Sequence, residues 1–243
     1  MSLPIDNPPI DTAGSHSTPL PAAHQDLVRT WVHGWTRCRG TAAPLAVPGG
    51  FRIDIGLPEH AGRYVLPVAD RGLLRDLAAS ITVPNLWIKV CAPRAEIAPL
   101  LPPAWEFVEP QFLMSAALPA SAGPVAPPPG YTVETADKDG TGIIDCRVLD
   151  AATGEPAAWG RAALTHASAP PSAVYDKINT ARAHRRRGLG SLLMRALTAH
   201  AVRLGAVHGI LVASPEGRPL YRSLGWQYHA PLTAARIPSP PRP

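Results

Sequence analysis

The sequence predicts an α+β fold in three layers, a sheet flanked by helices. Three observations carry the prediction. Segments with apolar residues every three or four positions alternate with short β-type runs from about residue 24 onward. Residues 174–226 read as strand, basic glycine turn, long helix, strand and short helix. The first half of the chain echoes that order 121 positions earlier.

Taken in order, residues 1–23 are rich in Pro, Ser and Thr and poor in core formers, which predicts a disordered tail. The tail has neither a basic n-region nor an apolar h-region, and no segment approaches the ~20 apolar residues of a membrane span, so a cytoplasmic protein without a membrane partner is expected. LVRTWVHGWTRC places Leu27, Val28, Trp31, Val32 and Trp35 on one helical face. Large aromatics at that spacing usually serve as core; walling a ligand pocket is the alternative. FRIDIG and RYVLPV read as strands, RGLLRDLAAS as a helix, LWIKVCA as a strand and EIAPLL as a short helix.

The Pro-rich run Ala117–Gly130 reads as a semi-rigid linker. The expected organisation is therefore a tail over 1–23, a first lobe over 24–118, a linker over 119–130 and a second lobe over 131–243. The second lobe opens with YTVETADKDGTGIIDCRVLD, two strands around a polar turn. VYDKINT is the next strand, and Asp176, Ile178 and Thr180 fall on one face of it by simple alternation. Leu189, Leu192, Leu193, Ala196, Leu197, Ala201 and Leu204 make the stripe of a helix that Gly205 terminates. HGILVAS is a buried strand, PEGRPLYRSLGW a short helix.

The chain also repeats weakly. A shift of 121 positions lays Ala92 on Ala213, Trp105 on Trp226, Phe107 on Tyr228 and Pro110 on Pro231, with LWIKVCA roughly over HGILVAS. The shared element order points to a degenerate tandem repeat. Its first copy has VADRGLL where the glycine turn stands and Leu100 where Tyr221 stands.

Between Thr180 and the long helix lie Arg185, Arg186, Arg187, Gly188, Leu189 and Gly190, an RxxGxG turn. Glycines let backbone N–H groups approach an anion, the helix they open adds its positive dipole end, and arginine forks suit phosphate oxygens. A solvated basic turn before a core helix is the bland alternative.

RRRGLG followed by LYRSLGW at this spacing resembles the GNAT superfamily of acyl-CoA-dependent N-acyltransferases, over roughly Tyr131 to the C-terminus. The resemblance implies a mixed, mostly antiparallel sheet and acetyl-CoA as acyl donor, with no metal. It implies that Arg185, Arg186, Arg187, Gly188, Leu189, Gly190 and Ser191 hold the pyrophosphate, that Ile178, Asn179 and Thr180 pair with the pantetheine arm, and that Ser214 completes the donor site. Tyr221 falls on the family's tyrosine, the acid for the leaving thiolate; a structural tyrosine is the alternative. Asp176, nine residues before Arg185, is the base candidate, unless it serves only as an ion-pair partner. His166, Asp145 and Glu134 are other reachable polar groups, and His184 is expected to face phosphate or solvent. The family's two helices between its first strands are missing here, so the first lobe is expected to wall the acceptor site.

Charge agrees with an anionic ligand. Residues 1–130 carry 9 Lys+Arg and 10 Asp+Glu, residues 131–243 carry 14 and 8. The arginines sit in one turn with no basic stripe or interleaved aromatics, which argues against nucleic acid. Cys38, Cys91 and Cys146 are isolated and fit neither a disulfide framework nor a zinc site. The expected function is acetyl transfer from acetyl-CoA to an unidentified amine in a ternary complex; a non-catalytic acyl-CoA sensor is the rival. Homodimer and monomer are both compatible with the sequence.

Overall fold

Runs of residues with the periods read above form the corresponding elements in a computed structural model, which describes residues 22–121, 123, 125–167 and 170–239. The expected tail lies outside the described residues except for its last two positions. In chain order the elements are α1 (Ala22–Arg39), β1 (Leu45–Val47), β2 (Gly50–Leu57), β3 (His60–Leu66), α2 (Arg71–Ser80), β4 (Leu86–Val90), α3 (Arg94–Ile97), β5 (Glu106–Phe107) and β6 (Gln111–Ala117). They continue with β7 (Tyr131–Asp137), β8 (Ile143–Asp150), β9 (Pro156–Thr165), β10 (Ser172–Thr180), α4 (Leu189–Arg203), β11 (His208–Ala213), α5 (Arg218–Ser223) and β12 (Gln227–Arg236). Asp70 sets the start of α2 by accepting the Leu73 N–H at 2.8 Å. Only a 3₁₀ turn, Lys138–Gly140, separates β7 from β8.

The strands form one 12-stranded sheet in the order β1-β2-β3-β4-β12-β6-β11-β10-β9-β8-β7, with β5 also on β12. Only β3/β4 and β10/β11 pair in parallel, so the sheet is mixed and mostly antiparallel. Each parallel pair is followed by a short helix and a buried Trp, Trp105 or Trp226. The start of β12, Gln227–Leu232, pairs with β6, whereas Thr233–Arg236 pairs with β4 and reaches β5. Thus β6 lies between β11 and the start of β12, and the end of β12 lies between β4 and β5. Each half lends one strand to the other.

Alternation along the central strands sorts the core into two faces. Val174, Ile210 and Leu113 meet Val28, Trp31, Val32 and Trp35 of α1, which also cover Ile53 and Val65 from the first half. Their neighbours Tyr175, Leu211 and Met114 meet Leu189, Leu193 and Leu197 of α4 on the opposite face. Next to them, α2 packs Leu74 and Ala78 on Leu66, Ile88 and Val90. Each fully buried Leu or Ile contributes about 1.5–3 kcal/mol. Helix α1 comes so close to β10 that a Cβ on Gly34 would stand 2.3 Å from Val174 Cγ2. Glycine is required there by contact, and α1 is thereby seated over the centre of the sheet.

Candidate functional site

The turn after β10 builds a bare helix start. Arg186 and Gly188 both take left-handed backbone conformations, φ 61° and 76°, and Gly188 caps α4 without any side-chain hydrogen bond. The N–H groups of Leu189, Gly190 and Ser191 therefore point out of the first helical turn, at the positive end of the α4 dipole. Arg185 Nε donates to the Thr180 carbonyl at 3.3 Å, folding the turn back on the strand.

These amides stand over a cleft of about 890 Å³. Ile178, Asn179, Thr180, Arg185, Arg186, Gly188, Leu189, Gly190, Ser191 and Ser214 all line it, together with Tyr221. Arg187 does not. Its Nη1 donates to Tyr131 Oη at 2.9 Å, and His184 Nδ1 lies 3.0 Å from the same hydroxyl. Arg187 and His184 thus brace the turn against β7 rather than face the cleft.

The cleft continues into the sheet. Strands β10 and β11 pair from Ser172–His208 to Tyr175–Leu211 and then part. The next residue on each strand, Asp176 and Val212, lines a second pocket of about 360 Å³ beside α1. Further along, Ile178 and Ser214 line the first cleft. The opening between the parting strands therefore lies between the two hollows.

A bulge corrects the expected face of Asp176. In β10 Asp176 pairs with Arg161 and Asn179 with Trp159, which leaves one extra residue between them, and Lys177 sits at φ 58°. The extra residue reverses the alternation. Asp176 faces α1, whereas Ile178 faces Gly160, Leu193 and Leu197 on the α4 side. The Asp176 carboxylate is gripped by Arg39 of α1: Nε donates to Oδ2, and Nη2 donates to Oδ1 at 3.0 Å. Sequence reasoning missed Arg39, because nothing local ties α1 to β10.

Tyr221 is buried, with its ring 6.2 Å from Trp226. Burial pushes its phenol up to about 12, with the Asp176 carboxylate adding to the rise. The value near 10 expected for a free phenol does not hold, and the hydroxyl keeps its proton at neutral pH. The other base candidates lie elsewhere. Asp145 accepts from Arg161 Nε at 2.6 Å and Nη2 at 2.8 Å, His166 lines a separate hollow beneath the far end of β9, and Glu134 is exposed on β7 at the sheet edge. Among the described residues no group of three His, Cys, Asp or Glu is placed to hold a metal ion, and no helix is long and apolar enough to cross a membrane. The three cysteines are buried free thiols.

Residues 113–226 match the model of the acetyltransferase (GNAT) family. A GCN5-related N-acetyltransferase from Kribbella flavida superposes with a TM-score of 0.63 at 16% identity, covering 89% of this chain and 96% of that one. A chain from the GNAT family of Novosphingobium aromaticivorans gives 0.53 at 19% identity over 88% and 97%, and a GCN5-related N-acetyltransferase from Sphaerobacter thermophilus gives 0.52 at 10% over 91% and 95%. At these identities the likeness is one of fold. No curated protein matches the sequence.

Proposed function

We propose, from the premise that residues 113–226 form a domain of the acetyltransferase (GNAT) family, that the chain is a cytoplasmic N-acyltransferase that moves an acetyl group from acetyl-CoA to an amine in a ternary complex. The observation that carries this reading is the bare α4 start at the floor of a cleft that leads into the gap between β10 and β11. The residues fit the donor: outward amides and Arg185 and Arg186 suit a pyrophosphate, and no side chain at Gly188 or Gly190 fills the space. Anchoring the donor remotely holds its thioester in place and supplies the proximity contribution.

Acetyl-CoA supplies an acyl thioester; the rest falls to this chain. The free edge of β10 past Tyr175 offers amides to the pantetheine arm and the carbonyl oxygen. The amine nitrogen bonds to the carbonyl carbon as the C–S bond breaks, sheds its second proton to water, and the released thiolate takes up a proton from solvent. Tyr221 hydrogen-bonds to the sulfur as it gains charge. Complete proton transfer from a phenol near 12 to a thiolate of reference value ~8.5 is uphill by about 5 kcal/mol, so donation of the hydrogen bond is its main part. Asp176, held in place by Arg39, attracts the incoming ammonium, which gives up its first proton to water.

That same grip favours one second reading, a non-catalytic acyl-CoA sensor. Release of free thiol from acetyl-CoA, measured against a broad panel of amines, separates the two. Amine-dependent release is expected; tight acetyl-CoA binding without release by any amine would leave the sensor.

A further inference from the structure

The pocket beside α1 is walled by Trp31 and Trp35 of α1 and Trp87 of β4, and its charges are unbalanced. Arg63 of β3 and Lys89 of β4 line it, each only 6% exposed. Among the described residues no carboxylate lies within ion-pair distance of either. Arg63 stacks 3.9 Å from the Trp35 ring centroid, and its donors reach only the His60 ring, at 3.2–3.4 Å. Lys89 Nζ donates to the neutral Gln111 Oε1 at 2.6 Å. Asp176 is already taken by Arg39, and Glu109 is exposed. The Trp87 indole N–H is buried with no hydrogen-bond partner.

Two neighbouring buried cations, offset only at a distance by an Asp176 carboxylate that Arg39 already holds, are costly. Their influence on each other is visible. Burial and Arg39 bring Arg63 down to about 9, burial and Arg63 hold Lys89 well below its ordinary range, and burial with Arg63 brings His60 down to about 3. An incoming anion relieves all three.

We propose that this pocket receives the oxyanion of the acceptor, and that the acceptor is an amine carrying a carboxylate beside an apolar or aromatic body, the chemistry of an amino acid. The inference rests on the acyl-transfer reading for the word acceptor, but the anion site stands by itself. The carboxylate lies toward Arg63 and Lys89, the apolar part lies against the three tryptophans, and the amine points to Asp176 and the gap between β10 and β11. A pocket of about 360 Å³ suits a ligand of that size.

The test needs no acetyl-CoA. Phenylacetate, benzoate, inorganic phosphate and the neutral isostere phenylacetamide are titrated into the full chain while tryptophan fluorescence is followed. At least one carboxylate is expected to change the signal saturably, with phenylacetamide at least 10-fold weaker. Arg63→Met and Lys89→Met are each expected to weaken that carboxylate at least 10-fold and leave acetyl-CoA affinity within about 2-fold, with circular dichroism reporting the fold. Binding of phosphate in place of both carboxylates supports the oxyanion site and assigns it to a phosphate group. Equal binding of phenylacetamide, wild-type affinity in both substituted proteins, or no binding of any anion overturns the proposal. Anion binding lost on substitution, in a protein that releases no thiol with any amine, refutes acyl transfer and leaves the pocket standing.

Discussion

Helix α4 carries a left-handed glycine at each end, Gly188 at φ 76° and Gly205 at φ 91°, and a Cβ on either meets no atom within 4 Å. Gly188→Ala and Gly205→Ala therefore carry the same kind of penalty, the backbone cost of a left-handed alanine, about 1 kcal/mol. For a chain of this size that lowers the melting midpoint by about 2–4 °C in each case. Binding should separate them. Gly188 lines the donor cleft, so its new methyl takes up open space there; losing one charge-assisted hydrogen bond to the donor costs about 1.5–3 kcal/mol, or roughly 10- to 150-fold in affinity. Isothermal titration with acetyl-CoA is expected to show that loss for Gly188→Ala and none for Gly205→Ala. Equal affinities for the two, whether both wild-type or both weakened, would refute the assignment of the anion site to the start of α4.

Tyr221→Phe is expected to lower kcat about 100-fold with the acetyl-CoA Kd within about 2-fold; unchanged kcat would reduce Tyr221 to a packing residue. His60 is brought down to about 3 by burial, then by Arg63, Lys89, Arg39 and Arg236. The unfolded chain takes up that proton near 6.5 and the folded one only near 3, so stability falls as pH drops from 6.5 toward 3. Urea melts across that range should show the slope flattened in His60→Asn, and an NMR titration of His60 near 6.5 would contradict it. Lys89→Met removes a buried, unpaired cation, and its melting midpoint is expected to rise by about 2–4 °C per kcal/mol relieved. A lower midpoint would mean that the Lys89–Gln111 hydrogen bond outweighs the burial of charge.

Where a local pattern decides structure, the sequence was readable. The helix RGLLRDLAAS forms over Arg71–Ser80, and the stripe from Leu189 to Leu204 forms α4 with its C-terminal glycine. Strand β9 was silent because Ala157, Ala158, Gly160, Ala162 and Ala163 lack both β-branching and polar alternation, and it is held by its neighbours. Strand β6 gave little sign of its place, since being lodged between β11 and β12 is a matter of long-range pairing. The glycine turn announced the cleft, but the bulge at Lys177 reversed the face on which alternation put Asp176. The cations of the second pocket did leave a trace: Lys89 interrupts the apolar run LWIKVCA, and a lysine inside a buried strand needs a reason.

The most direct test is a crystal structure with acetyl-CoA bound. The pyrophosphate is expected within hydrogen-bond distance of the amides of Leu189, Gly190 and Ser191, and the thioester in the gap past Tyr175 and Leu211, between Tyr221 and the tryptophan-walled pocket. A cofactor seated away from the α4 start, or a thioester pointing out of that gap, would contradict this placement.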